Sequence, residues 1–91
     1  MSCSNFPAGY FNVYEACAYE KIDFWIHLGD YLYEYPMDGY ATKSAQLLNR
    51  IPEPRHEILT LSDYRKRHAQ YKKDPQSQLL HATHPLIAVW D

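Results

Sequence analysis

No apolar run in this sequence approaches the roughly 20 residues that a membrane-spanning helix needs. The opening Met1-Ser2-Cys3-Ser4-Asn5 lacks both the basic and the apolar regions of a signal peptide. By itself that opening predicts a cytoplasmic chain. Two cysteines are too few for a disulfide scaffold. No charge of one sign dominates: 9 basic and 11 acidic side chains leave a net charge of −2, so no nucleic-acid footprint follows. There is no internal repeat and no low-complexity tract. The length, 91 residues, allows at most one small domain, and such a chain buries only about 60–65 % of its unfolded surface. What is present is ordinary for a globular protein: 46 % apolar and 22 % charged residues, which excludes a disordered tail or a collagen-like repeat. Tyrosine is the exception. Aromatics make up 15 % of the chain and 9 of them are tyrosines, which predicts an interior with many polar handles or a site lined by phenols.

Periodicity predicts a helix over residues 9–20, with Tyr10, Tyr14, Cys17 and Ala18 on its apolar stripe. The run Ile22 to Leu28, closed by Gly29-Asp30, reads as a parallel strand buried on both faces. Residues 34–59 form a weakly patterned connection with Pro36, Gly39, Pro52 and Pro54. Within it only Ser44–Asn49 has the makings of a helical turn or two. Thr60-Leu61-Ser62-Asp63 has the pattern of a capping box with Asp in place of Glu, followed by a stripe of Leu61, Tyr64, His68 and Tyr71. Asp74-Pro75 restarts a helix with an N-cap acceptor and proline at its first position. Leu86 to Trp90 is a second buried-strand candidate. Helix, strand, long connection, two helices and strand make an α/β pattern with parallel strands.

Ligands of such sheets bind at the carboxyl ends of the strands. Three positions there carry metal- or proton-binding side chains: the Ser2-Cys3-Ser4-Asn5 segment, Gly29 to Tyr33, and Asp91. Asp30, just past a strand and after a glycine, is placed to hold a cation, although Gly-Asp also makes a common turn. Cys3 sits between serines in a loop, where a thiolate needs a cation at neutral pH. Cys17, mid-helix, reads as a small buried apolar residue. Tyr33 lies in a cluster with Tyr31 and Tyr35; packing explains some of the three, but phenolate is also an iron ligand. Thiolate, carboxylate and phenolate form an anionic set suited to a small trivalent ion such as Fe3+.

These residues resemble a known family. Ser2-Cys3-Ser4-Asn5 with Gly9-Tyr10-Phe11-Asn12-Val13-Tyr14 is similar to the opening of the catalytic domain of PhoD-like alkaline phosphatases, and His27-Leu28-Gly29-Asp30-Tyr31-Leu32-Tyr33-Glu34 to their Gly-Asp metal motif. Thr60 to Tyr71 and Leu79 to Pro85 resemble the helical stretch that follows. The four blocks stand in the family's order and cover nearly the whole chain, apart from about residues 37–54. The resemblance implies a metallophosphatase fold, a four-layer αββα sandwich with a two-metal site at the strand ends. It implies Fe3+ and Ca2+, with Cys3, Asp30 and Tyr33 as iron ligands and Asp30 shared between the metals. The implied chemistry is hydrolysis of phosphomonoesters and phosphodiesters at alkaline pH. Export in folded form through a twin-arginine signal is also implied, which sets the parent protein outside the cytoplasm.

The family's next motif is Trp-Asp-Asp-His-Glu, and Trp90-Asp91 matches its first two residues. Residues 1–91 therefore read as the N-terminal part of one catalytic domain, with half of its metal site and no activity expected unaided. His27 is expected as a hydrogen-bonded core residue, and His81 and His84 as helix-end caps. Arg65-Lys66-Arg67 with Lys72-Lys73 reads as a solvated helix face rather than a phosphate-attracting patch. The rival to the enzyme reading is a non-catalytic, aromatic-rich α/β interaction module. Two parallel strands without neighbours leave open edges for a partner or for self-association.

Overall fold

The computed structural model describes residues 1–90. A single 3-10 turn, Phe6–Ala8, precedes helix α1, Asn12–Ala18. Strand β1, Trp25–His27, follows, then a connection without regular structure up to helix α2, Leu61–Lys73, helix α3, Pro75–Thr83, and strand β2, Leu86–Ala88. The two strands pair in parallel, with Trp25 opposite Leu86 and His27 opposite Ala88. The α/β order expected from the sequence is the order observed. Asp91 lies outside the described residues.

The helix starts are chemical. Thr60 accepts from Asp63 N at 3.1 Å while the Asp63 carboxylate accepts from Thr60 N at 3.2 Å, so the capping box closes with the shorter acid. Asp74 accepts from Ser77 N at 2.8 Å and caps α3, whose first residue is Pro75. The same Asp74 pairs with Arg50 at 2.6 Å, both side chains buried. Arg50 also donates to Phe6 O at 2.6 Å and lies over the Phe6 ring. One cation from the long connection thus ties the first turn to the α2–α3 corner.

The core is a ring cluster. Phe6, Phe11, Tyr14, Ala18, Trp25, Tyr71 and Leu80 pack together, and all are buried. The helices cover one face of the sheet, where Trp25 and His27 point. The opposite face carries Phe24, Ile26, Leu28, Ile87 and Val89, all exposed. The strand is therefore buried on one face, not on both, and it alternates as a half-covered strand does.

Four further expectations are corrected. Helix α1 begins at Asn12 rather than residue 9, because Phe6–Ala8 makes its own turn, and Tyr10 stays outside the helix and exposed. Leu61 is exposed on the first turn of α2, and the inward positions are Arg67 and Tyr71. His84 caps α3 with its backbone N–H, bonded to Leu80 O, and not with its ring. Ser44–Asn49 makes turns only, with Leu48 N bonded to Ser44 O.

Burial pulls the His27 and His81 rings below the ordinary imidazole value of 6.5. For each, the unfolded chain binds the proton more readily than the folded one in the window just below 6.5. Stability therefore rises with pH through that window and falls as pH drops from 7 towards 5. Thermal melts of dilute protein across that range should show the fall, and His27→Gln should flatten it. A melting temperature indifferent to pH there would contradict the assignment.

Candidate metal centre

Met1–Ser4 runs beside β1. Met1 N donates to Ile26 O at 2.7 Å and Leu28 N to Met1 O at 2.6 Å. Further along, Cys3 N donates to Gly29 O at 3.1 Å and Ser4 N to Asp30 O at 2.9 Å. These bonds bring Cys3 and Asp30 out side by side at the carboxyl ends of adjacent extended segments, where α/β sheets bind ligands. Both take left-handed backbone, with φ 60° at Cys3 and 52° at Asp30, and Gly29 between β1 and Asp30 stands at φ 127°. That conformation disfavours a residue with a Cβ by roughly 1–2 kcal/mol. Such residues gather at active sites and ligand clamps.

The side chains meet on one oxygen. Asp30 Oδ2 accepts the Tyr33 hydroxyl at 3.0 Å and the Cys3 thiol, with Sγ 3.7 Å away. Burial holds the Tyr33 phenol well above its ordinary range, and its bond to the Asp30 carboxylate raises it further, since a second negative charge there is unfavourable. A bound cation reverses that balance. Thiolate, carboxylate and phenolate are anionic donors of the kind a trivalent ion would take. The three residues singled out from sequence are thus brought together. Among the described residues no three His, Cys, Asp or Glu side chains gather into a metal-holding group; the third member of this cluster is a phenol. Beside Cys3 opens a cavity of about 520 Å3, lined by Asn5, Tyr10 and Asn12 among others. That is room for a small molecule.

The profile of the PhoD-like phosphatases matches residues 1–91. The chain belongs to the PhoD-like phosphatase family. It is similar to alkaline phosphatase D of Bacillus subtilis (strain 168), with 41 % identity over 90 residues, covering 99 % of this chain and 15 % of that protein. It is also similar to a solved structure of PhoD, with a TM-score of 0.85 and 41 % identity over 99 % of this chain and 17 % of that one. The chain spans about a sixth of the length of these relatives.

Around the ligand candidates this PhoD-like chain has a polar support that spacing alone does not announce. His27 is fully buried. Its Nδ1 accepts from Gly29 N at 3.4 Å, so Nε2 carries the proton and donates to Ser4 Oγ at 2.7 Å. One imidazole thereby bonds the neighbour of Cys3 and the neighbour of Asp30. Ser4 Oγ is also bonded to the Tyr14 hydroxyl, whose pKa burial pushes up to about 12, leaving it a neutral phenol. His81 bonds the Ser77 carbonyl through Nδ1 at 2.7 Å and the Tyr31 hydroxyl through Nε2 at 3.0 Å. Ser77 is the third residue of α3, so this ring bond lies inside the helix and is not the helix-end cap expected of His81.

Arg67 corrects the solvated-face reading of residues 65–67. Arg65 and Lys66 are exposed, but Arg67 is only 1 % exposed. A charged residue in a basic triplet gives no sequence signal of being buried. Only its place on the Tyr71 side of α2, one turn earlier, hints at it.

Proposed function

We propose that residues 1–91 are the N-terminal part of the catalytic domain of a metal-dependent hydrolase of phosphomonoesters and phosphodiesters. In this reading Cys3, Asp30 and Tyr33 hold Fe3+, and Asp30 is shared with Ca2+. The observation that carries it is the convergence of the Cys3 thiol and the Tyr33 phenol on Asp30 Oδ2, with Cys3 and Asp30 both in left-handed backbone. The donor chemistry fits a trivalent ion, for the charge reasons given above. When bound, the metals stabilise charge on the phosphate and lower the pKa of the attacking water.

The chain's own residues do the positioning. Asp30 offers a carboxylate whose backbone is held at Ser4 N, and Cys3 is held at Gly29 O. The cavity beside Cys3 admits the ester, with Asn5, Tyr10 and Asn12 as polar walls. The substrate class is a phosphate ester and the place of action is outside the cytoplasm, both resting on the family resemblance. No helix of the described residues is long and apolar enough to cross a membrane.

Tyr33→Phe in the full-length protein tests the ligand set. The variant keeps the ring stacked on Tyr35, 5.9 Å between centroids, and removes the phenolate oxygen. A phenolate-to-iron charge-transfer colour should be present in the parent and absent in the variant. Persistence of the colour overturns the assignment of Tyr33.

A further inference from the structure

Arg67 has no carboxylate partner among the described residues, where the ion pair found is Arg50 with Asp74. It is instead surrounded by backbone oxygen. Nε donates to Glu53 O at 3.1 Å; Nη1 to Tyr33 O at 2.5 Å and Tyr35 O at 3.2 Å; Nη2 to Pro54 O at 2.9 Å and His56 O at 3.5 Å. A guanidinium has five N–H groups in a fixed planar fork, and here each has a carbonyl. Those carbonyls come from the two ends of the long connection between β1 and α2. The first of them belongs to Tyr33. The polar backbone of Tyr33 is therefore held by the Arg67 fork.

We propose that Arg67 is the positioning residue for the Tyr33 phenol: by fixing the Tyr33 and Tyr35 carbonyls it sets the point from which the ring reaches Asp30 Oδ2. The proposal deepens the metal-centre reading and rests on it for its catalytic meaning. A loop without regular structure has no ladder to hold its carbonyls, and burying them without partners is costly. The rigid fork supplies partners at both ends of the loop in one plane. Lysine has one nitrogen with three donors and cannot reach five carbonyls set around a plane. The competing account is that Arg67 stabilises the fold in general, while the Asp30 bond and the Tyr35 stack alone place Tyr33.

The test uses the full-length protein without metal, labelled with carbon-13 at the ζ carbon of tyrosine. The Tyr33 and Tyr14 signals are assigned with Tyr33→Phe and Tyr14→Phe. Arg67→Lys and Arg67→Gln should move or broaden the Tyr33 signal and leave Tyr14, in the His27 network, in place. Gln70→Ala is the control. It removes the bonds to Glu53 N at 2.8 Å and Ile51 O at 2.7 Å, loosening the far end of the loop without touching Tyr33. Its Tyr33 signal should stay where it is. In the metal-loaded protein Arg67→Lys should lower metal affinity or turnover by about 10- to 100-fold, as losing an outer support of a ligand does.

An unmoved Tyr33 signal in both Arg67 variants overturns the proposal. So does a joint shift of Tyr33 and Tyr14, whether by unfolding or by general loosening, because Arg67 would then support the fold and not the phenol. An equal Tyr33 shift in Gln70→Ala has the same consequence. The metal-free signal separates this proposal from the ligand assignment: if Tyr33→Phe keeps the colour, the iron reading falls while the Arg67–Tyr33 coupling is still read independently.

Discussion

Asp30→Asn in the full-length protein should lower turnover of phosphomonoesters and phosphodiesters by about 10³-fold or more, roughly 4 kcal/mol of barrier. The side chain is the meeting point of the site, accepting the Tyr33 hydroxyl and lying against the Cys3 thiol. Asparagine keeps the shape, and its tolerance of left-handed backbone leaves the turn at φ 52° intact. What it removes is a negative charge that in the proposed arrangement offsets two cations. Asp63→Asn serves as the comparison. Asp63 is a surface acid whose bonds go to the Thr60 and Leu59 backbone at the start of α2, and those bonds hold its carboxyl below the ordinary range. It should change the melting temperature slightly and turnover hardly at all. Steady-state assays and melts of both variants decide it. Equal losses of turnover would mean that the Asp30 effect is structural.

The isolated 91-residue chain should associate and hydrolyse no phosphodiester with either metal added. The reason is the outer face of the sheet. Ile26 and Ile87 sit opposite each other in register, 41 % and 50 % exposed, with Leu28 and Val89 beyond them at 61 % and 51 %. Each roughly 100 Å2 of apolar surface left in water forgoes about 2.5 kcal/mol, against a typical net stability of about 5–15 kcal/mol. Contiguous apolar patches of this kind are uncommon on monomers and mark contact surfaces. Sedimentation should show species larger than a monomer. Ile26→Lys with Ile87→Glu should restore the monomer, since both side chains point away from the ring core. A monomeric parent chain with a sharp melt and metal-dependent turnover would show that the 91 residues function alone, and that the domain boundary proposed here is wrong.

The starts of α2 and α3 were legible because their causes are local, whereas the separate turn at Phe6–Ala8 hid the start of α1. Thr60 with Asp63, and Asp74 with Pro75, are contacts within four residues, so spacing contains the information. The strand was legible as an apolar run, but its coverage was not. Ile22 to Leu28 is apolar nearly throughout, and only the packing shows that Trp25 and His27 face the rings while Phe24, Ile26 and Leu28 face outward.

Residue types and strand-end logic pointed to the segments that hold Cys3, Asp30 and the tyrosine cluster, since loops at the carboxyl ends of parallel strands converge whatever lies between them, and the family resemblance picked out the three residues. The sequence by itself therefore determined the element order, the caps and which side chains stand at the strand ends. The tertiary structure alone decided what holds them there. Arg67 looks like one more surface cation beside Arg65 and Lys66, and Arg50 like a loop residue. Their partners, the carbonyls of residues 33–56 and the Asp74 carboxylate, lie 11 to 34 positions away. A buried guanidinium is set by where distant backbone oxygens fall in space, and no local period encodes that.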